Sequence, residues 1–68
     1  MASMTLKAAR VNADLTQKEA AKIFKVSNKT LSNWENGTSF PKADKIDLIC
    51  SVYGVAYDNL IFLPRNSL

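Results

Sequence analysis

The chain has no histidine and a single cysteine, Cys50. Without a second thiol no internal disulfide can form. Without imidazole most transition-metal sites and every His-based catalytic arrangement are excluded. Two glycines and two prolines are too few for a flexible linker, a low-complexity tract or a phosphate-cradling glycine loop. No apolar run approaches the roughly 18 residues of a membrane span, and Met1-Ala2-Ser3-Met4 lacks the apolar stretch of a signal peptide. The expectation is a soluble, cytoplasmic protein that is not an enzyme and carries no metal or other cofactor. Cys50 then reads as an ordinary core residue.

What remains is a chain of 68 residues, 47% hydrophobic and 22% charged, which is ordinary globular usage and enough for one small domain over 1–68. The net charge of +3 is unevenly placed. Residues 1–42 hold seven bases (Lys7, Arg10, Lys18, Lys22, Lys25, Lys29, Lys42) against three acids (Asp14, Glu19, Glu35). Residues 43–68 hold Lys45 and Arg65 against Asp44, Asp47 and Asp58. An excess of +4 on one part of a small domain suggests attraction to a polyanion, although charge alone does not separate nucleic acid from a membrane surface.

Apolar spacing predicts five short helices and no strand, an all-α domain. The first, about Thr5 to Ala13, aligns Leu6, Ala9 and Ala13. The second starts at a capping box, Thr16-Gln17-Lys18-Glu19, and runs from Gln17 to about Phe24 with Ala20, Ala21 and Phe24 inward. Ser27 is a good N-cap for a third helix, Asn28 to Asn36, whose buried side is Leu31 and Trp34. Its opposite side, Lys29, Ser32, Asn33 and Asn36, is a narrow hydrogen-bonding strip rather than the usual Glu/Lys mixture. A fourth helix, about Ala43 to Tyr53, buries Ile46, Ile49 and Tyr53, with Leu48, Cys50 and Val52 widening its apolar arc. A fifth, about Tyr57 to Phe62, offers Leu60, Ile61 and Leu63, and a tail at 64–68 follows.

Helices two and three are joined by only Lys25 and Val26, so they cross steeply, as in a helix-turn-helix over about 16–36. The runs Leu15-Thr16-Gln17-Lys18-Glu19-Ala20-Ala21 and Leu31-Ser32-Asn33-Trp34-Glu35-Asn36-Gly37, with Pro41 beyond, resemble the phage-repressor and Cro type of helix-turn-helix protein. The resemblance covers roughly residues 4–63 and implies a compact lambda-repressor-like domain. Asp14 and Lys25 stand where relatives often have glycine, so each is expected to take a left-handed or distorted backbone at about 1 kcal/mol.

The resemblance also implies roles. Gln17 would contact a DNA phosphate, helped by the amides of its helix N-terminus. Asn28, Lys29 and Asn33 match base-reading positions, with Ser32 between them on the same strip; Asn pairs with adenine and Lys with guanine, or Lys29 reaches phosphate instead. Ser27 and Thr30 border the strip as phosphate contacts or as cap residues. Lys42 matches a basic position near the DNA backbone or minor groove. The amides from Gly37 through Thr38 to Phe40 would bind phosphate. Arg10 and Glu35 coincide with a structural pair that would hold the third helix on the scaffold. Lys18, Lys22 and Lys25 form a basic stripe that is solvated or adds to the field toward DNA. The partner implied is double-stranded DNA carrying a pseudo-palindromic operator, bound by a homodimer through Tyr57, Asp58, Ile61, Phe62 and Pro64, with a regulator of transcription, a repressor, as the function. An antitoxin-like or protein-docking module is the alternative reading.

Overall fold

Side-chain oxygens placed just before each helix decide where the chain begins to coil. In the computed structural model, which describes residues 3–62, the Thr5 hydroxyl accepts the Ala8 amide at 3.1 Å and starts α1 (Leu6–Asn12). Thr16 starts α2 (Gln17–Phe24) through the complete capping box: the Glu19 amide donates to Thr16 Oγ1 at 3.1 Å, and the Thr16 amide donates to Glu19 Oε1 at 2.8 Å. The Thr16 amide first, and then the Thr16 side chain, hold the Glu19 carboxyl below its ordinary pKa. Ser27 starts α3 (Asn28–Asn36), and Lys42, after the buried Pro41, precedes α4 (Ala43–Tyr53).

The four helices end alike. The amides of Leu15, Val26, Thr38 and Val55 reach back to the carbonyls of Arg10, Ala21, Asn33 and Cys50, and the residue before each amide is left-handed. That is the closure of a Schellman motif, in which a reversed residue lets the chain satisfy carbonyls the helix leaves open. Gly37 and Gly54 take the conformation freely. Asp14 (φ 61°) and Lys25 (φ 59°) take it with a Cβ in place, as the missing glycines at these positions suggested.

The last segment departs from the sequence reading. Instead of a fifth helix over Tyr57 to Phe62, a 3₁₀ turn covers only Tyr57–Asn59, and the chain then extends as β2 (Leu60–Ile61). β2 pairs in parallel with β1 (Met4–Thr5), in the register Met4 with Leu60 and Thr5 with Ile61. Among the described residues the fold is therefore mostly helical with four α-helices and a small strand pair, not all-α with five. The reason is non-local: a six-residue helix here would be too short to sustain itself. Extension instead satisfies backbone groups against β1 while Leu60 turns into the core and Ile61 outward.

The core gathers Leu6, Ala9, Ala20, Ala21, Phe24, Leu31, Trp34, Ile49, Tyr53 and Leu60. Ala20 and Ala21 allow α3 to approach α2 closely, and Phe24 meets Tyr53 edge to face, ring centroids 5.4 Å apart. Val26, in the turn, packs against this core as well. On α4 the apolar arc is narrower than expected, since Ile46 is only half-buried and Leu48 is exposed. Lys45 reaches from α4 to the last carbonyl of α2, Nζ donating to the Phe24 oxygen at 2.8 Å. A cation at a helix C-terminus is favourably placed, and this one pins the turn that joins α2 to α3.

Replacing Lys25 by glycine is expected to stabilise the domain by about 1 kcal/mol, raising the melting temperature by roughly 4–8 °C for a domain of this size. Thermal denaturation followed by circular dichroism measures it. A lower melting temperature would show that the Lys25 side chain contributes more than its backbone strain removes.

Candidate nucleic-acid interface

α3 is nine residues long and cannot hold its own position, so its orientation is set from beneath. Leu31 and Trp34 seat one side in the core. Beside them Glu35, 7% exposed, meets Arg10 of α1, 8% exposed. Arg10 Nε donates to Glu35 Oε2 at 2.7 Å and Nη2 to Oε1 at 3.3 Å, a forked pair, while Nη1 donates to the Leu15 carbonyl at 3.0 Å. One guanidinium thus joins α1, the loop before α2, and α3. A third donor completes the group: Gln17 Nε2 reaches Glu35 Oε1 at 3.2 Å. Arg10 and Glu35 are a buried structural pair, as expected, and Gln17 belongs to the same cluster.

Above this platform the strip of α3 faces outward. Asn28 and Lys29 are exposed, Ser32 and Asn33 half-buried, and Asn36 is exposed at the far end. Asn36 Nδ2 donates to Ser32 Oγ at 3.4 Å, a link one helical turn long that leaves the Ser32 hydroxyl proton for another acceptor. At the near end Ser27 Oγ accepts the Thr30 amide at 3.0 Å and donates to Thr30 Oγ1 at 3.0 Å. Ser27 is thereby committed as N-cap. The two hydroxyls use one proton between them, which leaves the other for an outside oxygen.

Anion-seeking groups flank the strip. Among the described residues the backbone amides of Gln17 and Lys18, at the start of α2, have no protein acceptor, because the capping box takes only those of Thr16 and Glu19. The Gly37 amide donates to the Trp34 carbonyl at 3.3 Å, and those of Thr38 and Ser39 both donate to the Asn33 carbonyl, at 2.8 and 3.3 Å. These three amides close α3: Gly37 acts as terminator, and Thr38 also presents an exposed side chain. Lys42 is exposed at the start of α4, and Lys18, Lys22 and Lys25 are all solvated.

On the surface formed by the C-terminal turn, Tyr57, Asp58 and Ile61 are exposed and Phe62 is half-buried; Pro64 lies outside the described residues. Phe62 lies 5.9 Å, centroid to centroid, from both Tyr57 and Phe40. With Ile46 these rings line an open groove of about 270 Å³. Phe40 is 63% exposed and Tyr57 57%, so large apolar area is left in water here. Phe40 and Ile46 were not singled out for this surface from the sequence, since only the fold brings residues 40, 46 and 57–62 together.

A helix-turn-helix family model matches residues 6–60, from the first residue of α1 to the first of β2. The chain belongs to the helix-turn-helix family of the phage-repressor and Cro type. Among curated relatives of this helix-turn-helix domain, the antitoxin PezA of Streptococcus pneumoniae is 39% identical over 61 residues, covering 90% of this chain and 39% of its own length. The HTH-type transcriptional regulator ImmR of Bacillus subtilis is 39% identical over 56 residues, covering 82% of this chain and 44% of its own. The chain thus spans less than half the length of either relative.

The helix-turn-helix core also holds a polar group that no motif announced. The Tyr53 hydroxyl is buried without a hydrogen-bond partner among the described residues. Burial first, and then the negative charge of Glu35, push its pKa up to about 12 against the opposing pull of Arg10. Cys50 is raised too, by burial and by Asp47, which keeps the thiol protonated and unreactive.

An unfolded tyrosine ionises near pH 10, whereas Tyr53 stays protonated in the fold until about 12. Its contribution to stability is therefore complete below pH 10 and is lost as the pH rises through 12. Urea denaturation at pH 7 and at alkaline pH should show the wild type losing more stability than Tyr53→Phe across that window. At pH 7 the variant should be at least as stable, by up to about 1 kcal/mol, because it removes an unpaired hydroxyl. A wild-type-to-variant difference that does not change with pH counts against this origin of the alkaline sensitivity.

Proposed function

We propose that the domain is a sequence-specific double-stranded DNA-binding regulator of transcription, a repressor that lays α3 in the major groove of its operator. The observation that carries the reading is the outward polar strip of α3 held over the buried Arg10–Glu35 pair. A reading helix needs donors and acceptors toward the bases and a rigid seat behind them. In this assignment Asn28, Lys29, Ser32 and Asn33 read base edges. Gln17 and Lys18 at the α2 N-terminus, Thr30, the Thr38 side chain and Lys42 take phosphates, which fix register without carrying sequence information. Family membership and the relative named as a transcriptional regulator support the same role.

Three turns of helix read few base pairs, so we assign recognition to a homodimer on a pseudo-palindromic site, where two half-sites multiply the discrimination. The groove beside Tyr57, Ile61 and Phe62 is the surface for the second copy. One observation favours a second reading. A groove flanked by the exposed Phe40 also suits a protein ligand, and one relative is named an antitoxin. In that reading DNA binding accompanies neutralisation of a partner protein.

Selection from random duplex DNA should enrich a two-fold symmetric site. Replacing Asn28, Lys29 and Asn33 together by alanine should reduce affinity for that site to the level of scrambled DNA, each good base contact contributing about 1–3 kcal/mol, while the melting temperature stays nearly constant. Unchanged site preference in the triple variant would overturn the assignment of the reading residues. Failure to enrich any site, in a protein that remains folded, would transfer the function to protein docking. Lys42→Ala should weaken binding to all sequences alike and lower the slope of log affinity against log salt by about one. A changed base preference at constant slope would contradict its phosphate role.

A further inference from the structure

We infer that Glu35, besides pairing with Arg10, is a positioning residue for Gln17, fixing the orientation in which the Gln17 side chain meets a DNA phosphate. The inference rests on the DNA-binding reading and adds a coupling that neither the motif nor the family match contains. Gln17 Nε2 lies 3.2 Å from Glu35 Oε1, the same oxygen that accepts Arg10 Nη2 at 3.3 Å. A carboxylate is acceptor only, so the amide must present its nitrogen to Glu35 and keep its oxygen away. One of the two Nε2 protons is thereby engaged, and among the described residues no protein group takes the other. Gln17 stands at the first position of α2, beside the unpaired backbone amides of Gln17 and Lys18.

The charge arrangement decides whether an anion can come this close. An isolated Glu35 would repel a phosphate from the α2 N-terminus, but its charge is matched by Arg10 at 2.7 Å in a buried pair. What the phosphate meets is a neutral pair beneath, a helix N-terminus, and an amide already oriented, so less side-chain freedom is lost on binding. Glu35 has no need to touch DNA to contribute to affinity: it acts through the amide. The same carboxylate therefore sets both the height of α3 and the phosphate contact of α2, which ties the register of base reading to the backbone clamp.

The test is a double-mutant cycle on the full chain, with affinity for the selected duplex measured at low temperature where each variant is confirmed folded by circular dichroism. Gln17→Ala should weaken binding about tenfold, the loss expected for one charge-assisted hydrogen bond. Glu35→Gln should weaken binding through the seat of α3 in both backgrounds, and by about threefold to tenfold more in wild type than in the Gln17→Ala background. Equal losses from Glu35→Gln in both backgrounds would overturn the inference and leave Glu35 a structural residue alone. If Glu35→Gln does not fold, the wild-type chain still decides, because Gln17 is its only glutamine and gives a single glutamine side-chain amide in nitrogen-labelled spectra. One proton of that amide should exchange slowly in the free protein, and the other should shift on adding DNA. A freely exchanging, solvent-like amide in the free protein overturns the inference. Failure of the wild type to bind any duplex overturns the DNA-binding reading instead, and is told apart by the wild-type titration itself.

Discussion

The forked bond between Arg10 and Glu35 is the constraint on which the rest of the surface depends. Leu31 and Trp34 press α3 onto the core, but two apolar anchors on a nine-residue helix leave its roll about its own axis weakly determined. A guanidinium is a rigid planar fork, and here its Nε and Nη2 donors take both oxygens of the carboxylate, so the pair constrains that roll directly. An apolar pair of similar volume would fill the space with equal or greater stability. What it would not supply is a direction. The third bond of Arg10, to the Leu15 carbonyl, extends the same constraint to the chain entering α2.

Much of the helical frame was legible in the sequence, because its signals are local. Thr16 and Glu19, Ser27, and Pro41 with Gly54 bound α2, α3 and α4 at the residues where the structure bounds them. Asp14 and Lys25 were legible as left-handed positions, and the Arg10–Glu35 pair followed from the family resemblance. The end of the domain was not legible. Tyr57 to Phe62 carries helical apolar spacing, and the partner that draws Leu60 and Ile61 into extension is Met4–Thr5 at the other end of the chain. No window of sequence contains both.

The site divides along the same line. Which residues of α3 form the strip could be read from periodicity, whereas how their donors and acceptors are used could not. Ser27 and Thr30 look equivalent as hydroxyls near a helix start, yet only Ser27 takes a backbone amide and caps α3. Gly37 and Thr38 look like loop amides free for an anion, and in the fold they close α3. The contact from Lys45 to the Phe24 carbonyl joins residues 21 positions apart, and charge patterning gave no hint of it.

The two-residue strand pair has a consequence for the order in which the domain is made. Met4 and Leu60 are register partners 56 positions apart, so their pairing closes a loop that contains every helix. Loop closure of that length brings an entropic penalty that only a completed core offsets. Because Leu60 supplies both the edge backbone and a buried side chain, a nascent chain still lacking it holds four helices around an unfilled gap. Completion of the core therefore waits on Leu60, and α3 gains its full seat only when that residue joins β1.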